Sequence, residues 1–437
     1  MGGGAMDGRA IGGSDGGGVT RPVSNRSMAI AGLSTIVEWY DFTLYLYLTT
    51  VLSRVFFGGG AGSLVETLAG FALAYLMRPL GALVFGHVGD RFGRRRMMLL
   101  SMALMALAML ATALLPTYAR IGPMAGWLLF LLRCLTAFAV GGEYTGVVAY
   151  LLEGAPERRR GLITSSASAA SEVGGLLAVG LSAVVVASMD QAALDGWGWR
   201  IPFLVGAAMA VAILVARSTM EESPEFERQR AHGTVPARPL HHARTRHRGA
   251  IARGFAISAL GSITYYVGIT YVPTFLHAVG AMDEARALGL STVAAVAVIA
   301  VTPLVGALSD RLGRRPILIA VGLGGAVLPM TLFWLMAEGS LWQALAGAVL
   351  LACLGGAVSA VGAVATAELL PGEGRLSGLA LGATTATAIF GGLTPLVAHL
   401  LIDATGWAIV PGAMIALVAI VILPLFWRLP ETAPGRG

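Results

Sequence analysis

Four carboxylic acids lie inside long apolar stretches of this sequence, where an ionised group is costly and indicates function. Glu38 and Asp41 are three residues apart, so both lie on one side of a helix. Two carboxylates in a low-dielectric region do not both ionise readily, and one is expected to hold a proton near neutral pH. The pair predicts proton coupling, with Asp41 as first candidate. Glu38 is the second candidate for the proton-coupling residue. The alternative interpretation of Glu38 is a structural one, in which it anchors the end of its helix. Glu143 is a further candidate for proton coupling.

Arg133 lies in the middle of another apolar stretch. A guanidinium group stays ionised and can bind a carboxylate through two parallel hydrogen bonds, so Arg133 suits an anionic substrate. The alternative is a permanent ion pair with Asp41 or Glu143. Tyr144 follows eleven residues later and shares the same helix face. Glu172 is interpreted as a selectivity residue or second proton site, or as the structural partner of an arginine. The predicted substrate contacts are Arg133, Tyr45, Tyr144, Glu172, Tyr266 and Thr387.

These stretches belong to a chain that spans a membrane. Apolar residues make up 56% of the 437 and charged residues 12%, about half the charged fraction of soluble domains, and the mean hydropathy is +0.76. A spanning helix needs about 20 apolar residues, and the sequence therefore predicts an all-α integral membrane protein with twelve transmembrane helices. Their approximate ranges are 28–57, 65–88, 97–116, 124–152, 161–189, 199–219, 251–279, 287–308, 317–337, 341–370, 375–404 and 409–428.

A charged decapeptide between two of these helices occurs twice. GHVGDRFGRR at 86–95 recurs as GALSDRLGRR at 306–315, and a spaced Glu, Pro and Arg at 153–160 recurs at 368–375. Internal repeats in a membrane protein with many spans predict two pseudo-symmetric six-helix bundles with a transport site between them. Charged residues at these joints predict an ion-pair network that gates one face, and Arg78 is interpreted as a structural ion pair near it. The predicted gate residues are Arg78, Asp90, Arg94, Glu153, Arg160, Asp310, Arg314, Glu368 and Arg375.

The positions of the arginines predict the orientation. The chain has no lysine, and 24 of its 30 arginines lie on one side if both termini are on that side. The positive-inside rule therefore predicts cytoplasmic termini. Four histidines occur in the longest polar insert, but their irregular spacing favours a solvated loop over a metal site. The predicted organisation is a disordered cytoplasmic tail at 1–27, a first bundle at 28–219, a cytoplasmic linker at 220–250, a second bundle at 251–430 and a cytoplasmic tail at 431–437.

The repeated hairpin resembles the signature of the major facilitator superfamily, and further motifs resemble its metabolite:proton symporter branch. That branch includes citrate, 2-oxoglutarate, shikimate and proline/betaine carriers. The resemblance implies the major facilitator fold, alternating access driven by a proton gradient without a cofactor, a monomer, and a bacterial inner-membrane location. The motifs that carry it are VEWYDF at 37–42, MRPLG at 77–81, GGEY at 141–144, WGWRIPF at 197–203, ESPEF at 222–226 and IFGGLTP at 389–395.

The leading functional hypothesis is a proton symporter of a small organic anion, a di- or tricarboxylate such as citrate or 2-oxoglutarate. One alternative is a zwitterion carrier for proline or betaine, in which Tyr45 and Tyr266 would surround an ammonium group. Another is an exporter of a larger metabolite. An enzyme is disfavoured because the sequence shows no nucleophile–base pair, metal-ligand spacing or phosphate-binding loop. The expected partners are the substrate, protons and the lipid bilayer, and no nucleic acid.

Overall fold

The computed structural model describes residues 23–60, 62–279, 282 and 284–434. Most of the predicted tail at 1–27 therefore lies outside the described residues, as do residues 435–437. Regular secondary structure in the described part is helical. Twelve long spans follow in chain order, some of them built from two helical segments. They are α1 (Asn25–Tyr47 and Thr49–Phe57), α2 (Ser63–Tyr75 and Met77–Phe92), α3 (Arg94–Ala113), α4 (Met124–Val140 and Glu143–Gly154), α5 (Arg160–Ser188), α6 (Arg200–Ser218), α7 (Arg248–Tyr265 and Val272–Ala278), α8 (Glu284–Leu312), α9 (Arg314–Glu338), α10 (Leu341–Glu368), α11 (Arg375–Leu379 and Thr394–Thr405) and α12 (Val410–Trp427).

This order confirms the predicted all-α membrane fold. Among the described residues, ten of the twelve spans are long and apolar enough to cross a membrane by length and composition, and α1 and α7 are the two that are not. Both of these helices bring polar side chains into the protein interior. Glu38 and Asp41 of α1 and Ser262 of α7 are all buried. Interior polar groups thus account for the lower hydropathy of these two helices.

The two predicted six-helix bundles each have their own apolar core. The first core includes Tyr40, Met102 and Phe203, and the second includes Leu260 and Phe333. A third apolar cluster joins the two bundles where the repeated hairpins lie. We call the end of the molecule that carries residues 86–95 and 306–315 the hairpin face.

The segment between α6 and α7 is more regular than the solvated loop predicted for it. It contains two short helices, Pro224–His232 and Pro239–Arg246. Ser223 caps the first of them by accepting a hydrogen bond from the backbone N–H of Phe226. A serine N-cap followed by proline favours the start of a helix. The prediction of a solvated loop rested on the charged residues of the segment and did not use this signal.

Several spans are irregular near their middle. The helix of α2 is interrupted at Leu76, and that of α4 at 141–142. Wider π-helical turns occur at 266–270 in α7 and at 380–384 and 388–392 in α11. Such turns occur frequently at functional sites, because they redirect side chains and backbone groups. The irregular positions border the cavity between the bundles.

Candidate functional site

A cavity of about 170 Å³ lies between the two bundles. Its wall consists of α1, α2, α4 and α5 from the first bundle and α7, α8, α10 and α11 from the second, so the two contributions are related by the repeat. Among the described residues that line it, three are charged: Glu38, Arg78 and Glu172. The other polar lining groups are mainly serine, threonine and tyrosine hydroxyls. The cavity is therefore a weakly charged site for a small molecule.

Arg78 is the cation of this cavity. Its Nη2 donates a hydrogen bond to Glu38 Oε1 at 2.7 Å, and its Nη1 donates one to the Tyr75 hydroxyl at 3.0 Å. That hydroxyl lies 2.5 Å from the hydroxyl of Tyr266 in the other bundle. The guanidinium carbon also lies 5.6 Å from the ring centroid of Phe42. A continuous line of polar contacts therefore runs from Glu38 across the cavity to the second bundle.

This position corrects the assignment of Arg78 to the gate. Arg78 is twelve residues before Asp90 on α2, which corresponds to about 18 Å at 1.5 Å per residue. The interruption at Leu76 falls between Tyr75 and Arg78. Both side chains consequently face the cavity rather than the hairpin face.

Arg133 and Asp41 form a buried ion pair away from the cavity. Arg133 Nη1 donates to Asp41 Oδ2 at 3.0 Å, and its Nη2 donates to Thr112 at 3.3 Å. The guanidinium lies between the rings of Tyr45 and Phe203, 5.6 and 5.7 Å from their centroids. None of these five residues lines the cavity. The geometry matches the alternative interpretation of Arg133 as the partner of Asp41. It does not match the prediction of Arg133 and Tyr45 as substrate contacts, because both side chains point into the first bundle.

The three acids predicted to carry protons differ in how many of their oxygens are occupied. Glu143 pairs with Arg217 through one oxygen and accepts a hydrogen bond from Ser101 through the other. Asp41 Oδ1 and Glu38 Oε2 are buried and have no hydrogen-bond partner among the residues that the structure describes. The two acids of α1 therefore each keep an oxygen that can take a proton, whereas both oxygens of Glu143 are occupied.

Glu172 on α5 also lines the cavity, on a different helix from Arg78. Tyr144 and Ser168 share a hydrogen bond of 2.6 Å there, and Ser262 donates one to Thr387 at 2.9 Å in the second bundle. In the part of the chain that the structure describes, Glu172 has no ion pair. The predicted substrate contacts that do line the cavity are Tyr144, Glu172, Tyr266 and Thr387.

Two aromatic residues of the cavity, Trp39 and Tyr75, were not recognised from the sequence as site residues. Both line it, as does Tyr265, and the Trp39 Nε1–H is buried without a partner among the described residues. A signal was present for both. Trp39 follows Glu38 directly, and Tyr75 is one helical turn before Arg78, so each is the neighbour of an intramembrane charge.

At the hairpin face, each repeated aspartate binds the beginning of a helix in the other bundle. Asp90 accepts hydrogen bonds from the backbone N–H groups of residues 376–377, at 3.2 and 2.8 Å. Asp310 accepts them from residues 161–162, at 2.7 and 2.9 Å. The first N–H groups of a helix lack internal partners and carry partial positive charge, so a carboxylate there is stabilising. The two contacts hold the bundles together at this face.

Arginine side chains add a second set of contacts at the same face. Arg94 Nη2 donates to Glu153 at 3.1 Å and also to the carbonyl oxygen of Gly372 in the other bundle at 3.1 Å. Arg375 Nη1 reaches across from α11 to bind Glu153 at 2.6 Å. Glu153 is therefore shared by one arginine from each bundle.

The second repeat forms a similar but unequal network. Arg314 binds Glu368 at 3.1 Å and Asp310 at 2.8 Å, and the Thr432 hydroxyl donates to Glu368 at 2.7 Å. Within residues 23–434 as described, Arg160 forms no ion pair, and its Nε is buried without a partner. The expectation that Arg160 joins the network is thus corrected: Glu153 is bound by Arg94 and Arg375, and Glu368 by Arg314 and Thr432.

Two glutamates that follow α6 and α12 complete the hairpins, and neither was assigned to the gate from the sequence. Glu222 accepts hydrogen bonds from the first two N–H groups of α3, at 2.8 and 3.2 Å. Glu431 does the same for α9, at 2.8 and 3.1 Å. Burial raises the pKa of Glu222 above its ordinary value. Gly93 and Gly313 precede these helices with φ of +107° and +104°, angles that favour glycine.

We expect Asp90→Asn to lower turnover more than substrate affinity. The change removes a charge from the beginning of α11 but leaves the cavity intact, and such a contact contributes about 0.3–2 kcal/mol. Turnover should fall about two- to tenfold while KM changes less than twofold, measured as initial uptake rates in liposomes. Asp310→Asn should behave alike, and Glu157→Gln, an exposed acid on the same face, is the control. Unchanged turnover in both aspartate variants would contradict the proposed gate.

Two family profiles match the chain. The profile described as Sugar (and other) transporter matches residues 27–238, and the profile described as Major Facilitator Superfamily matches residues 283–437. Among solved structures, the proton:xylose symporter XylE bound to 6-bromo-6-deoxy-D-glucose superposes with a TM-score of 0.77 at 21% identity, covering 93% of this chain and 96% of that one. This similarity supports the fold assignment.

Curated relatives are similar over most of the chain. The alpha-ketoglutarate permease of Escherichia coli is 33% identical, over 85% of this chain and 87% of that protein. The citrate-proton symporter of Klebsiella pneumoniae is 32% identical, over 92% and 93%. The ectoine/proline transporter ProP of Corynebacterium glutamicum is also 32% identical, over 88% and 79%. The three relatives are named for chemically different solutes.

Proposed function

This chain belongs to the major facilitator superfamily, and from that premise we propose that it is a proton-coupled symporter of a small organic solute that carries a carboxylate. The observation that supports this most is Arg78 in the cavity between the bundles, with Tyr75 and Tyr266 beside it. A guanidinium in a site of low polarity is suited to a carboxylate. The solutes named for the relatives share that group. The chain is a transporter and not an enzyme.

Alternating access would move the solute past the hairpin face. The contacts of Asp90 and Asp310 hold this face closed, so the present arrangement is the state in which the solute cannot leave through it. Opening requires both contacts and the shared Glu153 carboxylate to separate. Networks of this kind bias a two-state motion by about 1–3 kcal/mol.

The proton acceptor in this proposal is Asp41. Its Oδ1 has no hydrogen-bond partner in the described part of the chain, and its Oδ2 is bound to Arg133 at 3.0 Å. Protonation removes the charge that holds Arg133, and thereby loosens the contact between α1 and α4. Both helices also form the cavity wall, so proton binding and solute binding act on the same two elements.

The proposed location is the bacterial inner membrane, with the hairpin face and both termini in the cytoplasm. Arginines of the two hairpins and of the linker lie together at that face, as the positive-inside rule requires. The proton gradient is the proposed energy source, with no cofactor, and the protein is proposed to act as a monomer.

Reconstituted liposomes with an internal pH dye test the proposal. Citrate, 2-oxoglutarate, proline and glycine betaine are added one at a time to the protein and to Arg78→Ala. Internal acidification is expected with at least one solute, and is expected to be lost in the variant. Acidification with none of these carboxylates, or uptake that requires ATP, would contradict proton symport. In the first case, the export of a larger metabolite becomes the better hypothesis.

A further inference from the structure

The charges of the cavity do not balance within the protein. Arg78 is already neutralised by Glu38, which lies 2.7 Å away. Glu172 lines the same cavity, is 9% exposed, and has no ion pair among the described residues. A carboxylate in such an interior is unfavourable unless another group compensates for it. The cavity therefore has an acidic end, at Glu172, whose negative charge can be paired with a cationic group of a bound molecule.

Glu172 and Arg78 lie on different walls of the cavity. The helix α2 that carries Arg78 packs against α11, whereas the helix α5 that carries Glu172 packs against α8. Tyr144 of α4 also lines the cavity, and its hydroxyl shares a hydrogen bond with Ser168, one turn before Glu172. A solute that touches both charged residues must extend across the cavity.

Aromatic rings surround the acidic end. The Tyr265 hydroxyl faces the Glu172 carboxylate. The Tyr265 ring lies 5.1 Å from the ring of Trp39 and 5.4 Å from the ring of Tyr266, measured between centroids. The faces of such rings attract cations, including quaternary ammonium groups that cannot donate hydrogen bonds. A carboxylate among tyrosine and tryptophan rings is thus an environment suited to an organic cation.

We propose that Glu172 is the counter-ion for a cationic group of the solute, so that the solute is a zwitterion with its carboxylate at Arg78 and its ammonium at Glu172. This inference deepens the function proposed above and rests on it. A second carboxylate, as in citrate or 2-oxoglutarate, would lie near Glu172, and two like charges in a low-dielectric site are unfavourable. A zwitterion gives each of its two charged groups an opposite charge in the cavity and leaves the net charge of the cavity unchanged, whereas a dicarboxylate adds negative charge to it.

A pair of ligands of equal shape tests the inference. Glycine betaine and 3,3-dimethylbutanoate differ in one atom, the nitrogen that gives betaine its positive charge. Equilibrium binding to the purified full-length protein is measured for both, together with proline. The wild type should prefer betaine over dimethylbutanoate by about tenfold or more, since a desolvated cation–ring contact alone contributes about one factor of ten. Glu172→Gln should remove this preference, weakening betaine binding and leaving dimethylbutanoate binding unchanged or tighter.

Glu338→Gln makes the same chemical change at an exposed residue at the end of α9 and should leave both affinities unaltered. If the wild type binds the two ligands with equal affinity, the inference is overturned. It is also overturned if the wild type binds neither betaine nor proline. A betaine preference that survives in Glu172→Gln also overturns it; if proton coupling is lost in that variant, Glu172 is a proton carrier instead. Equilibrium binding needs no proton gradient, so its result is independent of the liposome dye assay.

The two proposals can therefore fail separately. If citrate acidifies the liposomes and the protein does not bind betaine, only the zwitterion inference is wrong. If no solute acidifies the liposomes, the proposed symport is wrong.

Discussion

Arg78→Ala is expected to abolish solute binding, with a loss of affinity of more than about 100-fold. The substitution removes the cation of the cavity and leaves Glu38, which is 1% exposed, as an unpaired buried carboxylate. Leaving that carboxylate unpaired destabilises the folded protein by about 3–5 kcal/mol. The effect on binding is separate: removing one partner of a buried charge pair between protein and ligand weakens binding by about 2–5 kcal/mol, and each 1.4 kcal/mol corresponds to a factor of ten in affinity. Binding of radiolabelled proline or 2-oxoglutarate to the purified protein measures the effect.

A neutral double variant separates binding from stability. Glu38→Gln combined with Arg78→Gln removes both charges at once, so no isolated charge remains buried, and its melting temperature should stay close to that of the wild type. Its solute binding should still be absent, because no cation remains in the cavity. Arg78→Lys keeps a charge but loses the planar fork, and intermediate affinity is expected. Wild-type affinity in Arg78→Ala, together with a loss in Arg133→Ala, would return the substrate contact to Arg133.

The architecture could be predicted from the sequence because it depends on patterns that extend over many residues. Twelve apolar stretches require twelve spans, since a helix satisfies all its backbone groups within the bilayer. The repeated hairpins at 86–95 and 306–315 showed that these spans form two related bundles. Charges inside apolar stretches also identified Glu38, Asp41 and Arg133 as unusual residues. Each of them is indeed buried and paired.

Which of the two arginines, Arg78 or Arg133, faces the cavity could not be predicted, because that depends on how each helix is rotated and where it bends. Arg78 and Arg133 look alike in the sequence, as each is an arginine in an apolar helix. Arg78 follows the interruption of α2 at Leu76 and lines the cavity, whereas Arg133 packs between Tyr45 and Phe203 in the first bundle. Neither feature leaves a periodic signal.

The partners within the gate were unpredictable for a related reason. The repeat gives equivalent positions to Arg160 and Arg375. Arg375 reaches Glu153 of the other bundle, whereas Arg160 forms no ion pair with Glu368, the equivalent acid. Equivalent residues of a repeat need not have equivalent partners once the bundles pack against each other. The contact depends on the distance between α4 and α11 at the hairpin face, which is a property of the assembled protein.

Asp41→Asn is expected to separate transport from the proton gradient. Asparagine keeps the size of the side chain and can still accept a hydrogen bond from Arg133, but it cannot take up a proton. Uphill accumulation driven by an imposed pH gradient should disappear. Exchange of external labelled solute for internal unlabelled solute should stay within about threefold of wild type, since the cavity does not include Asp41. Both assays use the same liposomes.

Glu143→Gln is the comparison variant, because Glu143 is a buried acid of the first bundle whose oxygens are both occupied, by Arg217 and Ser101. If Asp41 is the coupling site, Glu143→Gln retains uphill accumulation even where its overall rate is lower. Accumulation that persists in Asp41→Asn and is lost in Glu38→Gln would assign the proton to the cavity instead. In that case the free Glu38 Oε2 would take the proton directly beside Arg78, and solute and proton would share one site rather than two linked ones.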